Sequence, residues 1–151
     1  SIFVKSGLSL LQVGVESADE ELLAVAHKGI NSADIEITNG LIRHYDVVLK
    51  MSYILGLPGD DCDKLRKTVS QIKRIKSHNS NAYAYACFYQ PYPGTELYEK
   101  AIGCGYPRLH GLEQWATMNP QSNIGNIPWL TNDEMNLYLE EFNASGCFTT
   151  F

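Results

Sequence analysis

An α/β fold built on a parallel sheet is what this sequence predicts, and three observations predict it. Apolar runs alternate with helical patterns along the chain. Each run ends in a turn rich in Gly, Pro or helix-capping residues. The helical stretches repeat their apolar residues at three- and four-residue spacing. Together these read as three parallel strand–helix units followed by a helical tail.

The first strand is expected over Leu8 to Val15, a run apolar enough to suit burial on both faces. Ser17 and Glu20 have the spacing of a capping box and predict a helix start there. Leu22, Leu23, Val25 and Ala26 supply its buried stripe, and Lys28 and Gly29 its end. Asn31 or Ser32 opens a second helical stretch to about His44. The second strand is Val47 to Leu55, broken sharply by Gly56-Leu57-Pro58-Gly59. Asp60 and Asp61 sit at the positive start of the next helix, and Lys73, Arg74 and Lys76 at its negative end. Leu65, Val69, Ile72 and Ile75 share one face of that helix.

The third strand is Ala82 to Tyr89, with Ala82, Ala84, Ala86 and Phe88 alternating against Tyr83, Tyr85, Cys87 and Tyr89. Pro91-Tyr92-Pro93-Gly94-Thr95 ends it, and Thr95 caps a short helix to about Ile102. From Gly103 to Leu130 no period is sustained. A last helix runs from Thr131 to about Asn143. Three strands cannot close a barrel, so each open edge wants a partner.

Composition narrows the function. Hydrophobic residues make up 44% and charged residues 19% of the 151 residues, an ordinary balance for a folded globular chain. The formal net charge of -5 argues against a generic phosphate-backbone binder, so no nucleic-acid partner is expected. No signal peptide is visible, and the best membrane candidate, Val47 to Leu57, is short and interrupted by Lys50. A cytoplasmic protein with no membrane partner is the expectation. Cys62, Cys87, Cys104 and Cys147 stand far apart, without the close spacing of a zinc or iron–sulfur motif, and read as independent reduced thiols. His27, His44, His78 and His110 share no ligand spacing.

Parallel α/β folds place their ligands at the carboxyl ends of the strands. Those ends carry Glu16 and Ser17, then Gly56 to Gly59, then Gln90 to Thr95. A carboxylate beside two Gly/Pro-rich turns suits a flat, polar ligand. It accepts bonds from hydroxyl or ammonium groups, while bare backbone approaches a ring and reads its edge. Each feature also has a plainer role: Glu16 as support for the cap, the two turns as punctuation. Trp115, Trp129 and the loop from Asn119 to Asn126 are candidates for a substrate wall or a core cover.

Gly14-Val15-Glu16-Ser17, His27-Lys28-Gly29-Ile30, Ile54-Leu55-Gly56-Leu57-Pro58-Gly59 and Pro91-Tyr92-Pro93-Gly94-Thr95-Glu96-Leu97-Tyr98, in that order, resemble the later half of a radical S-adenosylmethionine domain. The nearest flavour is the subgroup that often carries an upstream cobalamin-binding domain. The resemblance covers about Leu8 to Gly105. It implies a six-stranded partial (β/α) barrel of which this chain holds strands four to six, in residues 1–105, with residues 106–151 as a loop and helical extension. It implies a role for Glu16 at the ribose or methionine end of S-adenosylmethionine, with Ser17 beside it. Ser52, Ile54 and Gly56 match the segment that packs on adenine, Ser52 standing where that motif often has Gly. Phe88, Tyr89 and Gln90 match the segment whose backbone reads the adenine edge, and Asp60 the acid that follows the turn.

The family's Cys-x3-Cys-x2-Cys loop, which holds a [4Fe–4S] cluster, is absent from these residues. The chain begins at Ser1 rather than Met and is read as a segment of a longer protein that carries the loop upstream. No metal ligand and no catalytic residue is therefore assigned here, and the chain alone is expected to be inactive. The complete enzyme implied by the resemblance cleaves S-adenosylmethionine to a 5′-deoxyadenosyl radical. It would use an electron donor, act on a small molecule, and carry cobalamin if the upstream domain is present, as a methyltransferase or cyclase. The alternatives are a methylthiotransferase or porphyrin-type relative, a phosphate-binding barrel of other chemistry, and a non-catalytic remnant acting as a binding module.

Overall fold

The computed structural model describes residues 2–116, 127–146 and 148–149. Three long strands, β1 (Leu10–Glu16), β2 (Val48–Leu55) and β3 (Ala82–Phe88), form a parallel sheet in the order β1-β2-β3. A two-residue strand, β4 (Phe148–Thr149), adds parallel to β3 opposite Tyr85 and Ala86. One of the two edges expected to want a partner has a short one: β4 covers part of the β3 edge. No periodicity can announce a strand of two residues.

The helices are α1 (Ile2–Lys5), α2 (Glu20–Val25), α3 (Ser32–Ile42), α4 (Cys62–His78), α5 (Glu96–Gly103), α6 (Gly111–Ala116) and α7 (Asn132–Ala144). Caps set their starts. Asn31 and Asp34 form a reciprocal capping box on α3, and Thr131 and Glu134 do so on α7. Asp61 accepts from the N–H groups of Asp63 and Lys64, and Thr95 from that of Tyr98. Lys76 near the end of α4 donates to the Ser145 and Gly146 carbonyls at the end of α7, tying the two helices together. None of the helices among the described residues is long and apolar enough to cross a membrane.

The core lies on one face of the sheet. Leu49, Met51, Tyr53 and Leu55 of β2 and Ala82, Ala84, Ala86 and Phe88 of β3 point into it. Leu65, Val69, Ile72 and Ile75 of α4 meet them, with Ile35 and Ile42 of α3 and Met135, Tyr138 and Phe142 of α7. The small alanines of β3 leave room for a helix to approach closely, which explains their run on that face. A second cluster of Leu22, Leu57, Tyr89, Ala101 and Tyr106 sits at the carboxyl ends of β2 and β3, with Trp129 packed against it.

Two local expectations are corrected. β1 is not buried on both faces: Val15 is fully buried, but Leu10 and Gln12 are exposed on the side the helices do not reach. The Ser17–Glu20 capping box does not form. Asp19 caps α2 instead, accepting from the N–H groups of Glu21 and Leu22. Ser17 is drawn to Thr68 of α4, and the Glu20 carboxylate reaches Ser32. An ionised carboxylate two residues along is the stronger acceptor, and Lys67 holds Asp19 in place.

Candidate functional site

The uncovered face of the sheet carries Gln12, Gly14 and Glu16 from β1, Lys50, Ser52 and Ile54 from β2, and Tyr83, Tyr85 and Cys87 from β3. Period-two alternation puts these side chains together, and all are half-buried or exposed, whereas their neighbours on β2 and β3 are buried and those on β1 are partly or fully buried. A polar, solvent-facing surface on a parallel sheet is unusual, because such sheets are normally covered on both sides.

At its carboxyl end the surface is organised around Glu16. The register of β1 on β2 slips between Gly14 and Glu16, and Glu16 takes a left-handed backbone with φ 65°. For a residue with a Cβ this costs about 1–2 kcal/mol, and the bulge re-aims the strand end. The carboxylate receives the Lys28 ammonium at 2.7 Å, with both side chains mostly shielded. Lys28 crosses β1 over Gly14, where an added Cβ would stand 2.9 Å from its Nζ. His27, beside Lys28, has φ 49°; with Glu16 it is the only left-handed residue other than glycine among the described ones. In the sequence Lys28 stands as a helix-end residue and within the His27-Lys28-Gly29-Ile30 segment of the resemblance, with no site role of its own. Its place at the site comes from the fold, and the twelve-residue separation from Glu16 gives no local signal.

Beside Glu16 runs a groove of about 310 Å³ between the ends of β2 and β3 and the start of α5. Ile54, Cys87, Gln90, Tyr92 and Leu97 line it, and its surface is mainly apolar. Phe88 and Tyr89 contribute to its wall but bury their rings in the two cores. Burial and the neighbouring Tyr106 push the Tyr89 phenol up to about 12, and its hydroxyl has no hydrogen-bond partner among the described residues. Burial first, and then the Glu16 charge, raise the Cys87 thiol above its ordinary value. Burial and the charge of Glu134 likewise raise Cys62, so its place at the start of α4 does not make it a reactive thiolate.

The structure brings Glu16, Ser52, Ile54 and Gln90 to the open side and leaves the others elsewhere. Ser17 is buried on the helical side, bonded to Thr68 and accepting from the Asp19 N–H. Gly56 (φ 74°) faces the core, where a Cβ would fall 2.5 Å from Ile127 Cδ1. Its N–H donates to Asp60 at 2.8 Å. Asp60 is buried, and that burial raises its carboxyl to about 6 despite two backbone N–H donors and the nearby Tyr138 hydroxyl. Trp129 donates to the Leu57 carbonyl and stacks at a tilt on Tyr89, and Trp115 packs on Tyr98. Both act as covers. The loop from Asn119 to Asn126 lies outside the described residues.

No protein-family model matches the chain. It is similar to an uncharacterized methyltransferase of Pyrococcus horikoshii, 24% identical over 116 residues, or 77% of this chain and 24% of that protein. It is also similar to a tRNA-2-methylthio-N(6)-dimethylallyladenosine synthase of Hydrogenovibrio crunogenus, 26% identical over 90 residues, or 58% of this chain and 18% of that protein. The chain thus spans about a quarter or less of the length of these curated relatives, both of which are named as enzymes.

Proposed function

We propose that this chain forms the nucleoside-binding part of a radical S-adenosylmethionine enzyme, its three long strands being the later strands of a partial (β/α) barrel. The observation that carries the reading is Glu16. A carboxylate is held in a strained left-handed backbone at a strand's carboxyl end, beside an apolar groove and against a lysine. Strain of this kind persists where the surroundings over-determine it, and it concentrates at ligand sites. The two relatives, by name a methyltransferase and a tRNA-2-methylthio-N(6)-dimethylallyladenosine synthase, add support for a methyl- or methylthio-transfer relationship.

The residues present fit the nucleoside. A groove of about 310 Å³ is at the lower end of ligand-pocket size and suits a purine rather than a whole cofactor. Ile54 supplies an apolar floor for the ring. The Tyr89 N–H is committed to the Leu55 carbonyl, so reading the ring's edge falls to the neighbouring peptide groups of Phe88 and Gln90. Glu16 accepts from ribose hydroxyls or an amino group, and Lys28 offers its charge to a carboxylate. Ser52, with its hydroxyl turned to the Val13 carbonyl, adds a small polar contact. S-adenosylmethionine, when bound, supplies the reacting methyl or adenosyl group.

The [4Fe–4S] cluster does not fit the residues present. Cys62 opens α4, Cys87 lies on β3 and Cys104 follows α5. No group of three or more His, Cys, Asp or Glu among the described residues is arranged to hold a metal ion. In this reading the cluster, the electron donor and the small-molecule substrate belong to the longer enzyme. Cobalamin rests on the sequence resemblance alone. A methylthiotransferase is the second reading, favoured by the named activity of the Hydrogenovibrio relative.

Titration calorimetry with S-adenosylmethionine tests the assignment. Replacing Glu16 by Ala should weaken binding by about 10–100-fold, the loss of a charge-assisted hydrogen bond. Equal affinity in the wild-type and E16A proteins removes Glu16 from the site.

A further inference from the structure

Farther down the open face, toward the amino ends of the strands, a second polar group stands apart from Glu16 and Lys28. Lys50 is the third residue of β2, the middle of the three long strands, and is half-buried. Gln12 lies opposite it on β1 and Tyr83 on β3. Its ammonium sits 4.7 Å above the centre of the Tyr85 ring. The Tyr85 hydroxyl accepts from Gln12 Nε2 at 3.0 Å, which leaves the phenol proton to be donated outward.

The charge balance of this group is what marks it. Lys28, Lys64, Lys67 and Lys100 each meet a carboxylate. Lys5, Lys50 and Lys73 have none within ion-pair distance among the described residues, but Lys5 and Lys73 are exposed to water, whereas Lys50 is half-buried. A cation–π contact offsets part of the cost of partial burial, but it uses none of the three N–H donors. With a strand on either side of it, Lys50 lays its stem across the sheet and keeps its ammonium at the open face.

We propose that Lys50, Tyr85 and Gln12 form an anion subsite that takes the carboxylate or phosphate of an organic substrate. Lys50 supplies the charge and Tyr85 a second donor, while Gln12 fixes the phenol. Gln12 is four residues before Glu16, so the subsite lies roughly 13 Å below the carboxylate at ~3.3 Å per residue. That span leaves room for the body of a small molecule between the two polar groups. Assigning the anion to the substrate rests on the reading of Glu16 as the nucleoside end; the subsite itself does not.

The test is an NMR titration of the chain at constant ionic strength, once with inorganic phosphate and once with acetate, followed at Lys50, Tyr85 and Gln12. Saturable shifts with millimolar midpoints are expected. K50M should weaken binding at least tenfold, K50R should retain it, and Y85F should weaken it about threefold. Tighter phosphate binding points to a phosphorylated substrate, and equal or tighter acetate binding to a carboxylic acid. Linear, non-saturating shifts, or K50M shifts equal to wild type, overturn the proposal. If K50M does not fold, equal phosphate and acetate binding by Y85F and wild type does so instead. A parallel titration with S-adenosylhomocysteine separates the two readings. K50M should leave that binding unchanged and E16A should lose it. Nucleoside binding that survives E16A sinks the Glu16 assignment and leaves the anion subsite to stand on its own.

Discussion

Asp60 shows how much of a residue's role depends on where the chain returns. At the start of a helix an aspartate would ordinarily cap or favour the dipole, and Asp61 does so. Asp60 instead turns inward and accepts from the N–H groups of Gly56 and Asp61. Burial raises its carboxyl from 3.8 to about 6. The folded protein therefore holds this proton more tightly than the unfolded chain does. The stabilisation is complete below about pH 4 and is lost as the pH rises through about 6, by about 3 kcal/mol in total. Asp60→Asn keeps the shape and removes the titration. Urea unfolding between pH 4 and pH 7 should show wild-type stability falling relative to the variant. Parallel curves across that window would contradict the assignment.

At the scale of elements, the turn from β2 into α4 carries two glycines in left-handed conformations with different surroundings. Gly56 has φ 74° and faces Ile127 and Leu130, whereas Gly59 has φ 87° and nothing within 4 Å of an added Cβ. Gly59→Ala should cost only the conformational term, about 1 kcal/mol. Gly56→Ala adds overpacking against a branched side chain and should cost about 2–4 kcal/mol. Guanidinium unfolding of the two variants measures the difference, and equal costs would show that Ile127 moves aside freely. The turn was legible as a break in the sequence. That one of its glycines packs under the segment before α7 was not, because the contact joins Gly56 to Ile127 and Leu130, far along the chain.

The whole molecule is a sheet with a core on one side and a polar surface on the other. Its last helix closes the core: Tyr138 and Phe142 are fully buried, and Phe142 meets Tyr53 edge-on at 6.2 Å. Phe142→Ala should cost about 3–5 kcal/mol, a large share of the ~5–15 kcal/mol that holds a domain together. Because α7 and α4 enclose one core with β2 and β3, the loss should appear as a single lowered unfolding transition by both fluorescence and circular dichroism. Two separated transitions would mean that α7 docks as an independent unit.

The sequence by itself determined the three long strands, most helix starts and the burial of alternate residues. These depend on side-chain period and on caps a few residues away, and both are local. Asn31, Asp61, Thr95 and Thr131 were readable for that reason. The sequence also placed Glu16, Ile54 and Gln90 at strand ends, where a parallel sheet collects its ligands. Tertiary structure alone decided which side of the sheet stays open, because an apolar run such as Leu8 to Val15 looks the same whether one face or both are covered. It decided that Asp19 rather than Ser17 caps α2, since Thr68 and Lys67, about fifty residues on, compete for the two side chains. It brought Lys28 over Gly14 to Glu16, and Gln12, Lys50 and Tyr85 into one group. Those pairings are set by strand register and by a chain reversal, and neither leaves a mark in local spacing.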